Sequence, residues 1–555
     1  MVRLLASALF FVALAALAAP PASAQRLVVH GGTVYTVDAE RPTAQAFAVE
    51  DGRFVAVGTE AEVLAAYGDW PRLDLDGQTV TPGLIDAHAH LMGLGQALLS
   101  ADLVGTTSKA EIVERLVAFA ETLPDGAWVT GRGWDQNDWG GDGAFPTRSD
   151  LDDAFPDRPV FLGRVDGHAG WANTAALRAA GLDPDAPAPP DMEGGAVLRD
   201  DRGRPTGVFV DAAEGLIQRA IPEPDLAFAR EALRRALAET ARYGLTGVHE
   251  AGTLLAAVEL YRQFAAGGQF PIRVYAMITP DEIGPFCDRN PDGVAEDRLR
   301  VRSVKVYADG ALGSRGAALL ADYADDPGNT GLLFRQPDAL RATVQAAMAC
   351  GLQVNMHAIG DRANQVVLDA YAAAIERTGG GPGRHRVEHA QILSLDDIER
   401  FAQLGVIASV QPTHATSDMP WAGERLGDDR LRGAYAWRRL LDAGARLALG
   451  SDFPVERVDP LLGFHAAVTR QDADDRPAGG WYGNQVLTRA EALRGFTLDA
   501  AYAGFMEDEV GSIEPGKRAD WVVFSRDLMA VPPEQILGTE VVATYVDGRA
   551  VYERE

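Results

Sequence analysis

The chain has 555 residues, 47% of them hydrophobic and 23% charged, and a formal net charge of −28. The apolar fraction is that of a soluble globular protein, and the length is too great for one small core, so a barrel-sized domain with accessory parts is expected. The acidic balance argues against nucleic acid and against anionic membrane surfaces as partners.

The N-terminus departs from the globular pattern. Met1-Val2-Arg3, an apolar run over 4–19, Pro20-Pro21 and Ala22-Ser23-Ala24 read as a secretory signal peptide occupying 1–24. The apolar run is shorter than the ~20 residues of a spanning helix. No cysteine follows it to carry a lipid anchor. The mature chain is therefore expected to be exported, periplasmic or secreted, with no membrane attachment after cleavage. Its two cysteines, Cys287 and Cys350, lack metal-type spacing. Whether they meet is not legible in their spacing, and two partly buried thiols are the plainer expectation.

From 25 to 80 the chain is a series of short apolar strands separated by Gly-Gly and Asp-Gly turns, and 508–555 has the same character. One small β-sandwich assembled from both ends is the economical reading. Between them, over 81–507, strand and helix patterns alternate, as parallel βα units do. Strands are predicted near 79–90 and over 245–250, 272–278, 301–309, 352–357, 386–389, 406–411 and 447–452, with helices such as 338–349, 362–375 and 395–402 between them. Eight strands predict an α/β fold, a (β/α)8 TIM barrel with the β-sandwich domain attached. A doubly wound sheet is the alternative, but no Gly-x-Gly-x-x-Gly or phosphate-binding loop opens the domain. Residues 135–224, rich in Pro, Gly and Asp with interspersed aromatics, fit no repeat and read as an insertion over the barrel mouth.

In such a barrel the chemistry sits at the C-terminal ends of strands. His88 and His90 share one strand face because alternate side chains do. Lys305 lies inside the strand that leads to Asp309, and His357, His389 and Asp452 end later strands. Two converging imidazoles can grip a divalent ion, and the later strand ends extend the set.

The segments Pro82-Gly83-Leu84-Ile85-Asp86-Ala87-His88-Ala89-His90, Val304-Lys305-Val306-Tyr307-Ala308-Asp309-Gly310, His357-Ala358-Ile359-Gly360-Asp361, Arg386-Val387-Glu388-His389 and Gly450-Ser451-Asp452-Phe453-Pro454 resemble the amidohydrolase superfamily of metal-dependent hydrolases. In local sequence they resemble its family 3 branch, which includes YtcJ-like proteins and N-substituted formamide deformylases. The resemblance implies that His88, His90 and Asp452 bind one metal and that His357 and His389 bind a second. Lys305 would be carbamylated by CO2 and bridge the two; the alternative is an unmodified lysine paired with Asp309 and a mononuclear site. Zn2+ suits the ligands best, although Fe2+, Mn2+ or Co2+ can occupy the same set. A metal-bound hydroxide would attack the carbonyl of a non-peptide amide, N-formyl, N-acyl or cyclic, while Asp452 shuttles the proton to the leaving amine. An esterase, lactonase or phosphoesterase on the same centre, and a non-catalytic exported binding protein, are the other readings.

Substrate contacts are expected from family-like segments near the pocket, at Trp134, Gln136, His168, Trp171 and Asn173, with Asp309 beside the lysine strand. Trp134 and Trp171 can equally pack the insertion, and His168 can be a structural hydrogen-bonder. His414 ends a strand and can stabilise an oxyanion or orient the leaving group. His249 is a candidate for pocket duty, while His30, His385 and His465 read as ordinary exposed or loop-adjacent histidines. Arg315 is expected to pair with an acid. The small-molecule substrate and a homodimer are implied by the resemblance.

Overall fold

The computed structural model describes residues 26–124, 126–140, 143–222, 225–290, 293–378 and 383–555. The segment 1–24, read above as a signal peptide, lies outside the described residues.

Eight parallel strands form the centre: β1 (Leu84–Ala89), β2 (Leu245–Thr253), β3 (Arg273–Ile278), β4 (Leu299–Tyr307), β5 (Gln353–Ala358), β6 (Arg386–His389), β7 (Ile407–Val410) and β8 (Arg446–Leu449). They pair in chain order from β1 to β8. The strands are buried over most of their length and rich in Val, Ile and Leu, as parallel strands covered by helices must be. The connecting helices bury single stripes. In Leu226–Arg242 the buried residues are Ala232, Leu233, Ala236, Leu237, Thr240 and Ala241, one helical face, and Asp225 caps the first turn through Phe228 N–H.

The ring closes between β8 and β1 through the turn after β8. The Asp452 amide donates to the His88 carbonyl at 2.8 Å. The Ser451 amide and hydroxyl donate to Asp86, the hydroxyl at 2.6 Å. Gly450 permits this approach: a Cβ there would lie 2.5 Å from Asp86 Oδ1 and 2.6 Å from the His88 nitrogen. The fold is the predicted TIM barrel.

The strand expected over 79–90 is in fact two. Thr79–Pro82 pairs antiparallel with Trp521–Phe524 in a six-stranded sheet of the small domain, and the chain enters β1 only after Gly83. A side chain at Gly83 would collide with Thr246, whose Oγ1 lies 2.1 Å from the Cβ position. That sheet faces a four-stranded sheet built from Arg26–His30, Ala46–Glu50, Arg53–Gly58 and Arg72–Asp74. Val29, Phe47, Phe54, Val80, Trp521 and Tyr545 share the core between them, with Trp521 stacked on Tyr545 at 4.3 Å. Ion pairs bind the sandwich to the barrel: Arg273 Nε lies 2.7 Å from Asp520 in a buried pair, and Arg298 lies 2.9 Å from Asp547 in a half-buried one.

The stretch read as an irregular insertion is ordered around a sheet of its own, which starts earlier, at Ala101. Its six strands run in the order Gly195–Arg199, Pro205–Asp211, Ala169–Ala172, Val160–Arg164, Val129–Trp134 and Ala101–Asp102. Strands as short as Ala-Gly-Trp-Ala, or broken by glycine as in Val-Thr-Gly-Arg-Gly-Trp, carry too little alternation to be told from loop.

The expectation of two separate thiols is corrected. Cys287 and Cys350 form a disulfide, with Cα atoms 6.0 Å apart. It joins the helix Ile283–Arg289 to the end of Pro337–Ala349, neighbours around the barrel that lie 63 residues apart in sequence. Among the described residues no helix is long and apolar enough to cross a membrane.

Candidate active site

The C-terminal ends of the strands bring the sequence candidates to one place. His88, His389 and Asp452 each offer a ligand atom, and these atoms lie within 4.8 Å of one another. Asp452 Oδ1 is 3.4 Å from His88 Nε2 and 3.1 Å from His90 Nε2. Lys305 Nζ is 3.1 Å from His88 Nε2, and the His357 ring lies 4.5 Å from that of His389. His414 stacks on His389 at 5.8 Å, with Nε2 3.7 Å from Asp452 Oδ2. The unmodified Lys305 does not pair with Asp309; it points at His88.

The backbone is set unusually at two of these positions. His389 has φ 74° and Asp452 φ 65°, left-handed conformations that cost a non-glycine residue about 1–3 kcal/mol. Both sit where a strand gives way to its loop, and both side chains belong to the cluster of converging donor atoms.

Charge follows from burial. Desolvation, with nearby cationic groups adding to it, pushes His88, His357 and His389 well below the usual histidine value, so all three present neutral rings. Burial pulls the Lys305 amine down to about 8. Burial alone would raise Asp452, but the facing His88 ring, the hydrogen bond from His90 and the nearness of His414 outweigh it and hold the carboxyl below the usual range. Neutral imidazoles and an ionised carboxylate are the donors that Zn2+ and similar ions take. His357 Nε2 and His414 Nε2 are buried without a hydrogen-bond partner among the described residues. The donor set and these unsatisfied nitrogens fit a metal.

Several further residues support this group. His389 Nδ1 meets Gln411 Oε1 at 2.8 Å. His88 Nδ1 meets Glu388 Oε2, and Glu388 is ion-paired with Arg386 at 2.7 Å. Glu250, within β2, accepts the Leu91 and Met92 amides and the Tyr261 hydroxyl, and so fixes the turn after His90. The sequence reading missed Glu388, Arg386, Gln411, Asp86 and Glu250. A signal was present for two of them: Asp86 lies two residues before His88, and Arg386 lies two before Glu388, on shared strand faces.

The expected substrate contacts divide. His168 reaches the site, its ring 5.4 Å from His357 and its Nδ1 2.6 Å from Asp211 Oδ1. Although burial works against it, the bond to Asp211 and the charges of Asp211 and Asp166 raise His168 to about 9. Gln136 is buried; Arg164 Nε donates to its Oε1 at 2.9 Å and its Nε2 has no partner among the described residues. The others are corrected. Trp134 is fully buried against Trp139 and Trp171, and its Nε1 donates to the Leu162 carbonyl at 2.8 Å. Trp171 Nε1 donates to the Thr147 carbonyl. Asn173 caps the helix Thr174–Ala179 and donates to the Phe155 and Arg158 carbonyls. These three are packing and capping groups of the accessory sheet. Asp309 accepts the amides of Ala318, Ile359 and Gly360, tying the loop after β4 to the loop after β5, and burial raises it to about 7.

Among the remaining histidines, His385 and His465 are buried rather than exposed. His385 stacks on Tyr371 and accepts the Val354 amide, and His465 meets Asp475 at 3.0 Å. His249 lies inside the barrel, where its Nδ1 meets Arg386 at 2.9 Å. Arg315 pairs with Asp325 at 2.9 Å, as expected.

Comparison with known proteins follows the same lines. A family model described as "Amidohydrolase family" matches residues 73–552. The chain is 35% identical over 537 residues to YtcJ of Bacillus subtilis (strain 168), covering 95% of this chain and 100% of that one. It is 33% identical over 550 residues to the N-substituted formamide deformylase of Arthrobacter pascens, covering 95% and 98%. A solved structure of an uncharacterized metal-dependent hydrolase from Pyrococcus horikoshii superposes with a TM-score of 0.75 at 28% identity, covering 92% of this chain and 99% of that one.

Proposed function

This chain belongs to the amidohydrolase family, and on that premise we propose that it hydrolyses a carbon–nitrogen bond other than a peptide bond in a small amide, N-formyl, N-acyl or cyclic. The observation that carries the reading is the convergence of His88, His389 and Asp452 donor atoms within 4.8 Å, with Lys305 beside them. The similarity to an N-substituted formamide deformylase supports the choice of bond.

His88, His90 and Asp452 would hold one ion, His357 and His389 a second, and a carbamate on Lys305 would bridge them. A carbamate forms only from an unprotonated amine, and burial lowers the Lys305 amine to about 8, so a usable fraction is neutral near pH 7. Bound Zn2+ or a similar ion would supply Lewis acidity that activates water and polarises the carbonyl. Asp452 takes the proton of the attacking water and delivers it to the departing nitrogen, as a carboxylate held ionised and within reach of both can. His414, near Asp452, and the charged His168, near His357, can hold the carbonyl oxygen or a polar substituent. We further propose an exported, oxidising location; the disulfide Cys287–Cys350 supports it.

The test is a screen of N-formyl, N-acyl and lactam compounds with metal-loaded protein, before and after chelation. Turnover that disappears with the metal and returns on reloading is expected. Less than one equivalent of transition metal in the purified protein, with activity indifferent to chelators, would remove the reading.

A further inference from the structure

We propose that Glu388, clamped by Arg386, positions His88 for metal binding by fixing its tautomer, with the hydrogen on Nδ1 and the lone pair on Nε2. The proposal rests on the metal-dependent reading above.

Glu388 and Arg386 occupy one face of β6, two residues apart, and neither is exposed. Glu388 Oε2 reaches across the barrel interior to His88 Nδ1. A carboxylate paired with a guanidinium only accepts, so the hydrogen in that contact belongs to Nδ1. The lone pair of the neutral ring is then on Nε2, the atom that faces Lys305 Nζ at 3.1 Å and Asp452 Oδ1 at 3.4 Å. A carboxylate behind a ligating imidazole also makes it a stronger donor than a neutral partner does. His389 shows the contrast, since its Nδ1 meets the amide oxygen of Gln411.

Glu388 has no freedom to turn away. Arg386 Nη2 donates to its Oε2 at 3.0 Å, and Arg386 Nε lies 2.7 Å from its Oε1 as an ion pair without a hydrogen bond. Arg386 is itself pinned by the Ala87 carbonyl, by Ser409 Oγ at 2.8 Å and by His249 Nδ1 at 2.9 Å. Rotating the carboxylate would leave a guanidinium unpaired where no water reaches it, a large desolvation cost. The polar interior beneath the site thus acts as a rigid base for one ligand.

Glu388→Gln is the informative substitution. Arg386 faces both oxygens, so either orientation of the Gln amide sets its NH2 against a guanidinium donor, and the amide cannot hold the pair as the carboxylate does. With the oxygen at the Oε2 position His88 loses the carboxylate that strengthens it as a donor, and with the NH2 there the ring must carry its hydrogen on Nε2, where it blocks the ion. The experiment titrates apo wild type and Glu388→Gln with Co2+ and Zn2+ against a chromophoric chelator and records the Co2+ absorption spectrum. It also assigns the His88 ring nitrogens by 15N spectra of histidine-labelled, metal-free wild type. The expected results are a folded variant with ~10–100-fold weaker metal binding and an altered Co2+ spectrum, and a wild-type His88 protonated on Nδ1. Wild-type affinity and spectrum in Glu388→Gln, or a wild-type His88 with its hydrogen on Nε2, overturns the proposal. If Glu388→Gln does not fold, the wild-type tautomer decides alone. A wild type that takes up no ion at all would instead overturn the metal-dependent reading beneath it.

Discussion

The amide of Asp452 donates to the carbonyl of His88 at 2.8 Å, so the turn after the last barrel strand is tied to the end of the first. The same two residues face each other through their side chains, Oδ1 to Nε2 at 3.4 Å. The bond that closes the ring also sets the distance between a carboxylate and the imidazole it works beside. A change of backbone at either residue therefore disturbs fold and chemistry together, whereas a change confined to the Asp452 side-chain terminus does not.

Asp452→Asn isolates the chemistry. The amide keeps the volume and the backbone bond but cannot accept and pass on a proton. Turnover of any substrate found in the screen is expected to fall by at least ~10^2–10^4-fold, while circular dichroism and melting temperature stay near wild type. Undiminished kcat in the variant removes Asp452 as the proton carrier.

Lys305→Ala tests the bridge. Lys305 is buried with its amine aimed at His88 Nε2, and the substitution removes the group that would carry the carbamate. Metal content by elemental analysis should drop together with activity, and short carboxylic acids that fit the vacated volume should restore part of both. Two ions per chain retained in Lys305→Ala would rule out a bridging carbamate.

The disulfide should matter for stability and not for chemistry. Closing a loop of 63 residues lowers the entropy of the unfolded chain, which corresponds to about 4 kcal/mol in the chain-entropy account. Cys287→Ser with Cys350→Ser should shift the urea midpoint downward by the equivalent of roughly 2–4 kcal/mol, with KM and kcat unaltered. An unchanged midpoint would mean that the two helices are held by packing alone.

Asp418 makes the stability pH-dependent. Its Oδ2 accepts from Gln391 Nε2 at 2.9 Å and from Tyr435 Oη, and burial raises the carboxyl from 3.8 to about 7, with His414 acting in the opposite direction. The folded state therefore holds a proton that the unfolded chain releases at its ordinary value. This contribution is fully present below about pH 4 and is lost as the pH rises through 7. Asp418→Asn stays neutral throughout, so its denaturation midpoint should gain on wild type progressively between pH 4 and pH 8. A difference that is flat over that range contradicts a protonated Asp418.

The alternation of strand and helix patterns and the polar residues at strand ends were enough to establish a barrel and to nominate His88, His90, Lys305, His357, His389 and Asp452. Those signals are local: a short apolar run bounded by turn residues, and a polar residue where the run stops, are written in consecutive residues. The partners of those residues are not local. Glu388 meets His88 from 300 residues away, and the disulfide joins helices whose adjacency depends on the order of strands around the ring. The aromatic residues of the accessory sheet misled for the same reason. Trp134 and Trp171 look like pocket residues in a Gly- and Pro-rich stretch, and only the pairing of short strands turns them inward on each other. Sequence by itself nominated the polar side chains at the strand ends; tertiary structure decided which nitrogen of each ring faces the centre, because that depends on hydrogen-bond partners brought by other strands.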